Sequence, residues 1–355
     1  MESFNLQDFL LEASLRKASD IYFIPGASIT LLIGGKTLHI GARLMANDTA
    51  NLAHELYRLA SRGNAENVFD TGDDNFSFAL PGVSRFRVSM FRQRNTYGAI
   101  IRMTPFDIPS PQALNIPEEV MELCDIDNGL VLITGLSGSG KTTTVACMLD
   151  RINHTRSGEL ILTLENPLEY VHRHAGCIVT QREIYTDTAN YDDALRAVKY
   201  QRAHVLMISD LPTSSVAQDA LSIAQAGSLV LTTFHGTSVA NALRNLLDMF
   251  PADKQAMVCT QLASALKGVV YQRLIPAQDG TPVPAFEVVQ IGDTLRALLL
   301  EGGIAQIADA IAASKTRTMI PLDLSLVDLF RSQRITYDTA VKYALDKTRI
   351  RRLLR

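Results

Sequence analysis

The residues best suited to chemistry lie in one glycine-rich segment, residues 131–144, between an apolar run and a helical pattern. Gly135, Gly140, Lys141 and Thr142 fill every fixed position of the phosphate-binding pattern G-x-x-x-x-G-K-[ST]. Glycines let backbone N–H groups turn toward phosphate oxygens, and the start of the following helix favours negative charge. A glycine turn without a ligand is the alternative interpretation, but the strand and helix signals around the loop favour nucleotide binding. The expected phosphate-binding residues are Gly135, Ser137, Gly138, Ser139, Gly140, Lys141, Thr142 and Thr143.

Two side chains of this loop and one acid further along would serve a complex of Mg²⁺ with ATP. Lys141 would reach the β- and γ-phosphates, and the Thr142 hydroxyl would be a ligand of Mg²⁺. A buried-looking strand over 205–209 closes on Asp210. An acid in this position holds Mg²⁺, often through water, or polarises the attacking water. Strands that end in Asp are common, so Asp210 is a candidate site residue only because the chain also contains the phosphate loop. ATP and Mg²⁺ are the expected ligands.

Other polar residues follow predicted strands in the same half of the chain. Glu165 and Glu169 come after the strand signal at 160–164, and His235 follows the one at 229–233. The ends of parallel strands are where such sheets place ligands, which makes the two glutamates candidate catalytic acids. A solvated surface turn explains them equally well from spacing alone. For His235, contact with the γ-phosphate competes with a purely structural role.

Five arginines crowd the end of the first third of the chain: Arg85, Arg87, Arg92, Arg94 and Arg102. They would either face water on alternating strand positions or reach a nucleotide bound by a neighbouring subunit, as arginine fingers do.

Composition limits the classes of protein that this chain can be. It has 355 residues, enough for two or three domains, and a formal net charge of -3, which gives no electrostatic case for nucleic acid as a partner. The four cysteines form no C-x-x-C pair, so we expect neither a zinc site nor a disulfide framework. The N-terminal residues lack signal-peptide features, and no apolar run is long enough to cross a bilayer. We therefore expect a cytoplasmic protein without direct membrane insertion.

The order of predicted elements divides the chain into two parts. Residues 1–104 read as a small α+β domain, in which a helix over 48–60 would start at Asp48 as its N-cap. Three prolines mark a linker over 105–114. Residues 115–291 alternate strands and helices, which predicts an α/β domain with a mostly parallel sheet. Residues 292–355 read as a helical subdomain. The strands expected in the α/β domain are 129–134, 160–164, 176–180, 205–209, 229–233, 268–274 and 283–289.

These motifs together resemble the type IV pilus retraction ATPases, the PilT family of the type II/type IV secretion ATPase superfamily. The resemblance runs over nearly the whole chain and includes the phosphate loop, residues 165–169 against the Asp box E-D-P-I-E, and Phe234-His235 against the His box. Further similarity lies at 18–21, 85–88, 99–102, 271–276 and 285–288. The long N-terminal extension and tetracysteine insert of assembly ATPases are missing, which favours the retraction branch.

The resemblance implies a PAS-like N-terminal domain, a RecA-like P-loop ATPase domain and a ring of six copies. It implies ATP hydrolysis at subunit interfaces, an inner-membrane pilus platform protein as partner, and a location at the cytoplasmic face of that membrane. Asp210 takes the place of the catalytic Walker B acid, Glu165 and Glu169 those of the Asp-box acids, and His235 that of the His-box histidine. Arg87 and Arg102 are the expected arginine fingers.

Several residues depart from the family pattern on the catalytic side of the site. Ser209-Asp-Leu-Pro-Thr213 stands where the family has G-E-M-R-D, so the Asp210 carboxylate is one methylene shorter. Asn166 replaces the Asp-box aspartate, and residues 225–227 read Q-A-G instead of E-T-G. Residues 202–204 read R-A-H, where the family has an acidic, proline-containing segment before the Walker B strand.

Two functions remain open on this pattern. The first is a motor for pilus retraction and twitching motility with reduced ATP hydrolase activity. The second is an accessory or weakly hydrolysing ring subunit of a type IV pilus, competence or type II secretion machine, with a paralogous retraction ATPase as partner.

Overall fold

A computed structural model describes residues 4–62, 65, 68, 71–104, 108–314 and 316–354. The chain forms two compact units, Met1–Asp107 with Glu169–Val171 and Ile108–Leu168 with His172–Arg355. Residues 105–107 of the predicted linker lie outside the described residues. The chain is an α/β protein, as the sequence predicts.

The first unit contains a six-stranded antiparallel sheet with the strand order β3-β2-β1-β6-β5-β4. Alternate residues of β5, among them Phe86, Val88 and Met90, are fully buried and pack into the apolar core of this unit. The elements are α1 Leu6–Leu15, β1 Asp20–Phe23, β2 Ser28–Ile33, β3 Lys36–Arg43, α2 Ala46–Leu59, β4 Asp73–Leu80, β5 Ser84–Gln93 and β6 Thr96–Thr104.

Helix α2 begins earlier than the sequence predicts. Its N-cap is Met45, and Asp48 is the third residue of the helix. The Asp48 carboxylate accepts a hydrogen bond from the backbone N–H of Met45 at 2.7 Å. The prediction of Asp48 as N-cap is therefore wrong, because an acid at the third position satisfies the free N–H by reaching back.

The second unit contains an eight-stranded sheet with the order β14-β13-β12-β7-β11-β10-β8-β9. The six strands from β12 to β9 are parallel, and β13 and β14 complete one edge antiparallel. The strands are β7 Gly129–Thr134, β8 Leu160–Glu165, β9 Ile178–Glu183, β10 Val205–Ile208, β11 Leu229–Phe234, β12 Leu266–Pro276, β13 Pro282–Gln290 and β14 Met319–Ile320.

Helices cover both faces of this sheet. Along β7, Leu130 and Leu132 pack into one apolar cluster, whereas Val131 and Ile133 pack into another. A strand buried on both faces is what a parallel sheet between two helical layers requires. The helices are α3 Glu118–Met121, α4 Lys141–Thr155, α5 Tyr191–Gln201, α6 Ser214–Gln225, α7 Val239–Asp248, α8 Ala252–Ala265, α9 Asp293–Leu300, α10 Ile304–Ala313, α11 Leu322–Arg331, α12 Tyr337–Tyr343 and α13 Lys347–Leu353.

Strand β9 is the element whose predicted bounds differ most from the structure in this unit. The sequence predicts a strand over 176–180, and the structure has it at Ile178–Glu183. The missed residues are the polar run Gln181, Arg182 and Glu183, which resembles a loop in sequence. In the structure it pairs in parallel with β8, so that Glu183 lies opposite Glu165.

Candidate functional site

The phosphate loop connects the buried strand β7 to helix α4. Gly140 is the N-cap of α4, with a φ of 90°, and Gly135 leaves β7 with a φ of 153°. Backbone in this region suits glycine, because other residues are strained there. The loop therefore has the strand–loop–helix context that its sequence pattern requires.

Strand β12 lies directly beneath the loop and explains why two of the glycines cannot be replaced. A Cβ on Gly135 would overlap the carbonyl oxygen of Gln272, and one on Gly140 would come within 2.8 Å of the Gln272 side-chain nitrogen. The Gln272 amide is itself fixed, since its Oε1 accepts a hydrogen bond from the buried Thr144 hydroxyl at 2.6 Å. Sequence reasoning missed Gln272. A polar residue in an apolar strand was the only signal for it.

The remaining loop residues form a cradle that fits a phosphate group. Lys141 Nζ donates to the carbonyl oxygens of Gly135 (3.0 Å) and Leu136 (2.9 Å), so the ammonium lies over the loop. Ser139 Oγ is buried and finds no hydrogen-bond partner among the described residues. Ser137 and Gly138 are exposed at the tip. Thr142 and Thr143 are half-buried in the first turn of α4. This donor set around a glycine backbone suits an anion with several oxygens.

The strand order brings the candidate acids and His235 to the same edge as the loop. Strands β7, β11, β10 and β8 are neighbours and all run in parallel. Their carboxyl ends therefore lie side by side. Glu165 is the last residue of β8, Asp210 follows β10 by two residues, and His235 directly follows β11. We call the segment ends that carry Glu165, Asp210 and His235 the acid edge.

Glu165 is buried, with its carboxylate fixed by two hydrogen bonds to one oxygen. Oε1 accepts from the Thr163 hydroxyl at 2.6 Å and from the Gln181 side-chain amide at 3.0 Å. Gln181 is held in turn, because its own oxygen accepts the backbone N–H of His172 at 2.8 Å. The alternative interpretation of a solvated surface turn is therefore wrong for Glu165. Asn166 and Glu169, by contrast, are exposed. Gln181 was missed because it falls in the polar end of β9.

Asp210 is half-buried, and its Oδ1 accepts the backbone N–H of Leu211 at 2.9 Å. The short side chain is thus turned toward its own backbone. Next to it, the hydroxyls of Ser209 and Tyr191 lie 2.9 Å apart. Burial raises the pKa of Tyr191 to about 12, and the negative charges of Asp210 and Glu165 add to this rise. No pattern in the sequence singles out Tyr191 as a site residue.

His235 is exposed and is followed by the N-terminus of α7. The backbone N–H of Val239, the first residue of α7, donates to Glu287 Oε2 at 2.8 Å. Glu287 is buried in β13, and burial raises the pKa of its carboxyl to about 7. The Glu287 carboxyl group therefore holds the start of α7, the helix that follows the His235 loop.

Three predicted site residues belong to the first unit. Arg87 of β5 and Arg102 of β6 are direct partners in the antiparallel ladder. Arg102 is 71% exposed, and its Nε donates to Asp20 Oδ1 at 3.1 Å. Arg87 is half-buried on the sheet face opposite the core residues of β5. Glu169 falls within Glu169–Val171, which groups with this unit, whereas the phosphate loop, Glu165, Asp210 and His235 belong to the second unit.

Two features are absent from the described part of the chain. No group of three or more His, Cys, Asp or Glu side chains could by itself hold a metal ion. A site for Mg²⁺ beside a nucleotide needs no such group, because one or two protein oxygens and the phosphates supply its ligands. Among these same residues, no helix has the length and apolarity to span a membrane.

A glycine-rich loop on a central parallel strand, with acids at the neighbouring strand ends, defines a P-loop nucleotide-binding protein of the α/β class. The family model of the type II/IV secretion system proteins matches residues 4–284. The chain belongs to this family.

Individual relatives cover nearly the whole chain. The type IV pilus retraction ATPase PilT of Pseudomonas aeruginosa is 32% identical over 95% of this chain and 97% of its own length. The type IV pilus ATPase PilU of the same organism is 30% identical over 92% of this chain and 85% of its own. A crystal structure of the pilus retraction motor PilT with bound ADP superposes with a TM-score of 0.90, at 33% identity, over 99% of this chain and 100% of that one.

Proposed function

We propose that this protein is an ATP-hydrolysing motor of the type IV pilus retraction class, which acts as a ring of six copies. The observation that carries the proposal is the line of strand ends β7, β11, β10 and β8, which aligns the phosphate loop with the acid edge. A relative named as a retraction ATPase matches over nearly the full length of both chains, which supports the same function. Hydrolysis would return pilins to the membrane and so drive twitching motility.

ATP binding rests on the phosphate loop. Backbone N–H groups of the loop and the start of α4 would donate to the phosphate oxygens. Lys141 Nζ would exchange its two carbonyl acceptors for the β- and γ-phosphates, where its charge offsets that of the nucleotide. Thr142 and Asp210 would hold Mg²⁺, which supplies further positive charge at the phosphates when bound.

Hydrolysis rests on the acid edge. Asp210 would help to orient the attacking water, and Glu165 would accept its proton, a role for which a fixed carboxylate is suited. Glu165 meets this need because two donors fix its Oε1. His235 would contact the γ-phosphate, and loss of this contact after hydrolysis would change the position of the loop that leads into α7. The resemblance to the family makes Glu169 the proposed second Asp-box acid, after Glu165.

Arg87 and Arg102 are proposed as fingers that act on the nucleotide of a neighbouring subunit. An arginine placed in trans stabilises the charge that develops on the transferred phosphoryl group. Their positions as direct ladder partners would put two guanidinium groups side by side on one exposed sheet face.

A second function is favoured by one feature of the site. The Asp210 carboxylate is short and bonds the N–H of the next residue, so it extends less far from β10 than a glutamate would. The similarity to PilU, which is named as a type IV pilus ATPase of the same organism as the PilT relative, supports this alternative. In this alternative the protein binds ATP, hydrolyses it weakly and acts as a ring subunit beside a paralogous motor in a pilus, competence or type II secretion system.

Steady-state ATP hydrolysis by the purified full chain with Mg²⁺ separates the two functions. The variants are Lys141→Ala, which removes the phosphate-binding ammonium, and Asp210→Glu, which lengthens the acid. The motor function predicts turnover by wild type, background turnover by Lys141→Ala and a modest change for Asp210→Glu. If wild type binds ATP but turns over no faster than Lys141→Ala, the motor function is wrong. Activity gained by Asp210→Glu would then assign the loss to the missing methylene.

The ring and its shared sites can be tested by mixing variants. Arg102→Ala rings keep their phosphate loops, and Lys141→Ala rings keep their arginines. If Arg102 acts on a neighbouring subunit, mixed rings should hydrolyse ATP faster than either variant alone. Arg43→Ala, an exposed arginine on β3 of the same unit, is the control and should keep wild-type activity by itself. Mixed rings without recovered activity would contradict action in trans.

An inner-membrane platform protein is the proposed partner, with the ring at the cytoplasmic face of that membrane. This proposal rests on the resemblance to the type IV pilus retraction ATPases. We expect the platform protein to copurify with the full chain but not with variants that fail to form rings. Absence of the platform protein from the purified wild-type ring would contradict the partnership.

A further inference from the structure

Ser209 occupies a central position at the acid edge. It follows β10 directly and precedes Asp210. Its backbone N–H donates to Leu164 O at 2.9 Å, and its Oγ accepts the backbone N–H of Asn166 at 3.0 Å. Both partners flank Glu165, so Ser209 bonds the end of β8 on each side of the candidate acid.

The same residue also bonds the end of β11. The Thr233 hydroxyl donates to the Ser209 carbonyl oxygen at 2.6 Å. Thr233 lies two residues before His235. A single residue is thus hydrogen-bonded to the segments that carry all three groups of the acid edge.

Tyr191 completes this arrangement from the first residue of α5. Its ring is buried in the apolar cluster on one face of the sheet, and its hydroxyl lies 2.9 Å from Ser209 Oγ. Only 6% of the tyrosine is exposed, so the hydroxyl is anchored by the packing of the ring. The phenol stays protonated across the pH range of an ATPase assay, because burial raises its pKa to about 12. The pair can therefore always form its hydrogen bond.

We propose that Ser209 and Tyr191 are positioning residues for ATP hydrolysis. Their hydroxyl pair fixes the ends of β8 and β10 relative to each other, and the Ser209 carbonyl oxygen bonds the end of β11. The inference rests on the proposed hydrolase activity. Neither hydroxyl needs to touch the nucleotide. Their effect is on the placement of the Glu165, Asp210 and His235 side chains, where an error of about 1 Å costs up to about a hundredfold in rate.

Tyr191→Phe is the sharpest variant, because it removes one oxygen and keeps the buried ring. We expect kcat for ATP to fall about tenfold, while the Kd for ATP stays within about twofold of wild type. Tyr200→Phe is the matched control: it lies on the same helix, and Tyr200 is 89% exposed. It should change neither quantity.

Ser209→Ala and the double variant test whether the two hydroxyls act through one bond. Ser209→Ala should lower kcat at least as much as Tyr191→Phe, because it also removes the acceptor for the Asn166 N–H. On the Ser209→Ala background, Tyr191→Phe should then lower kcat no further. Effects that multiply instead would contradict a shared hydrogen bond.

The outcomes distinguish this inference from the proposed function. A wild type that turns over no faster than Lys141→Ala contradicts the hydrolase activity itself and the inference with it. A wild type that does turn over, together with a Tyr191→Phe variant of unchanged kcat, contradicts the positioning role alone. A Tyr191→Phe variant with a lower Tm but an unchanged kcat at 25 °C also contradicts the positioning role. The hydrogen bond would then contribute only to stability.

Discussion

The phosphate loop and the acid edge lie at the same end of one sheet but are held in place by different kinds of interaction. The loop depends on backbone shape: Gly135 and Gly140 leave room for Gln272 beneath them. The acid edge depends on hydrogen bonds between side chains and neighbouring segments, with Ser209 at its centre.

The two regions also differ in how far they match the family pattern. The phosphate loop fills every fixed position of its motif. Ser209, Asp210 and Asn166 depart from the pattern and all lie at the acid edge, where Ser209 Oγ accepts the Asn166 N–H. Several residue types can make such side-chain hydrogen bonds, whereas the positive φ of Gly135 and Gly140 favours glycine.

The largest expected effect comes from breaking the loop. In Gly135→Ala the new Cβ would meet the backbone of Gln272 at a φ that alanine rarely adopts. We expect ATP affinity to fall about a hundredfold, measured by titration with a fluorescent nucleotide. Gly227→Ala is the control, because Gly227 also has a positive φ, of 113°, but open space around its Cβ. Equal losses of affinity in the two variants would show that backbone strain, and not the fit to Gln272, is responsible.

A smaller effect, on the free energy of unfolding, is expected from Glu287, which supports the segment after His235. Burial raises the pKa of the Glu287 carboxyl to about 7. The folded state thus keeps a proton that the unfolded state, with a pKa near 4.5, releases. This contribution to stability is fully present below pH 4.5 and is lost as pH rises through 7. Wild type should therefore lose about 3 kcal/mol of unfolding free energy relative to Glu287→Gln between pH 4.5 and pH 8.

Denaturant unfolding at both pH values measures this difference. The pKa of Asp323 is raised by burial as well, and the negative charge of Asp323 raises the pKa of Glu287, so the comparison measures the Glu287 carboxyl together with its interaction with Asp323. Gln306→Ala, at an exposed position, removes no titratable group and should show the same offset from wild type at both pH values. A pH-independent offset for Glu287→Gln would contradict the raised pKa.

The smallest expected effect tests the support beneath the loop. Thr144→Val removes the donor to Gln272 Oε1 and leaves a buried acceptor unsatisfied, which costs about 1–3 kcal/mol of stability. Thr155→Val, at the exposed end of the same helix, removes a hydroxyl that bonds only Arg151 O among the described contacts and should cost less than about 0.5 kcal/mol. Thermal unfolding of both variants provides the measurement. Equal shifts in Tm would contradict a special role for Gln272.

The phosphate loop and the strands of the sheet could be predicted from the sequence, whereas the hydrogen bonds at the acid edge could not. Glycine spacing and hydrophobic runs are local signals, which is why the bounds of β7 were predicted without error. The sheet order then explains why Glu165, Asp210 and His235 share an edge.

The contacts that hold these groups could not be read from one sequence. Gln181, Tyr191 and Gln272 come from three different elements and meet the site only after the sheet has formed. Local patterns do not contain that information: the polar end of β9 looked like a loop, and Tyr191 looked like an ordinary helical residue. The Asp48 error has a similar cause, since an acid can cap a helix from outside it or from its third position.

The most direct test of the division of the site compares ATP affinity and turnover in the same Glu165→Gln protein, because Glu165 is the acid-edge carboxylate that is not assigned to Mg²⁺. If the loop binds the nucleotide and the acid edge performs hydrolysis, this variant should keep the Kd for ATP within about threefold of wild type while kcat falls about a hundredfold. Loss of affinity as large as the loss of turnover, or turnover equal to wild type, would contradict the division of the site into a binding loop and a catalytic edge.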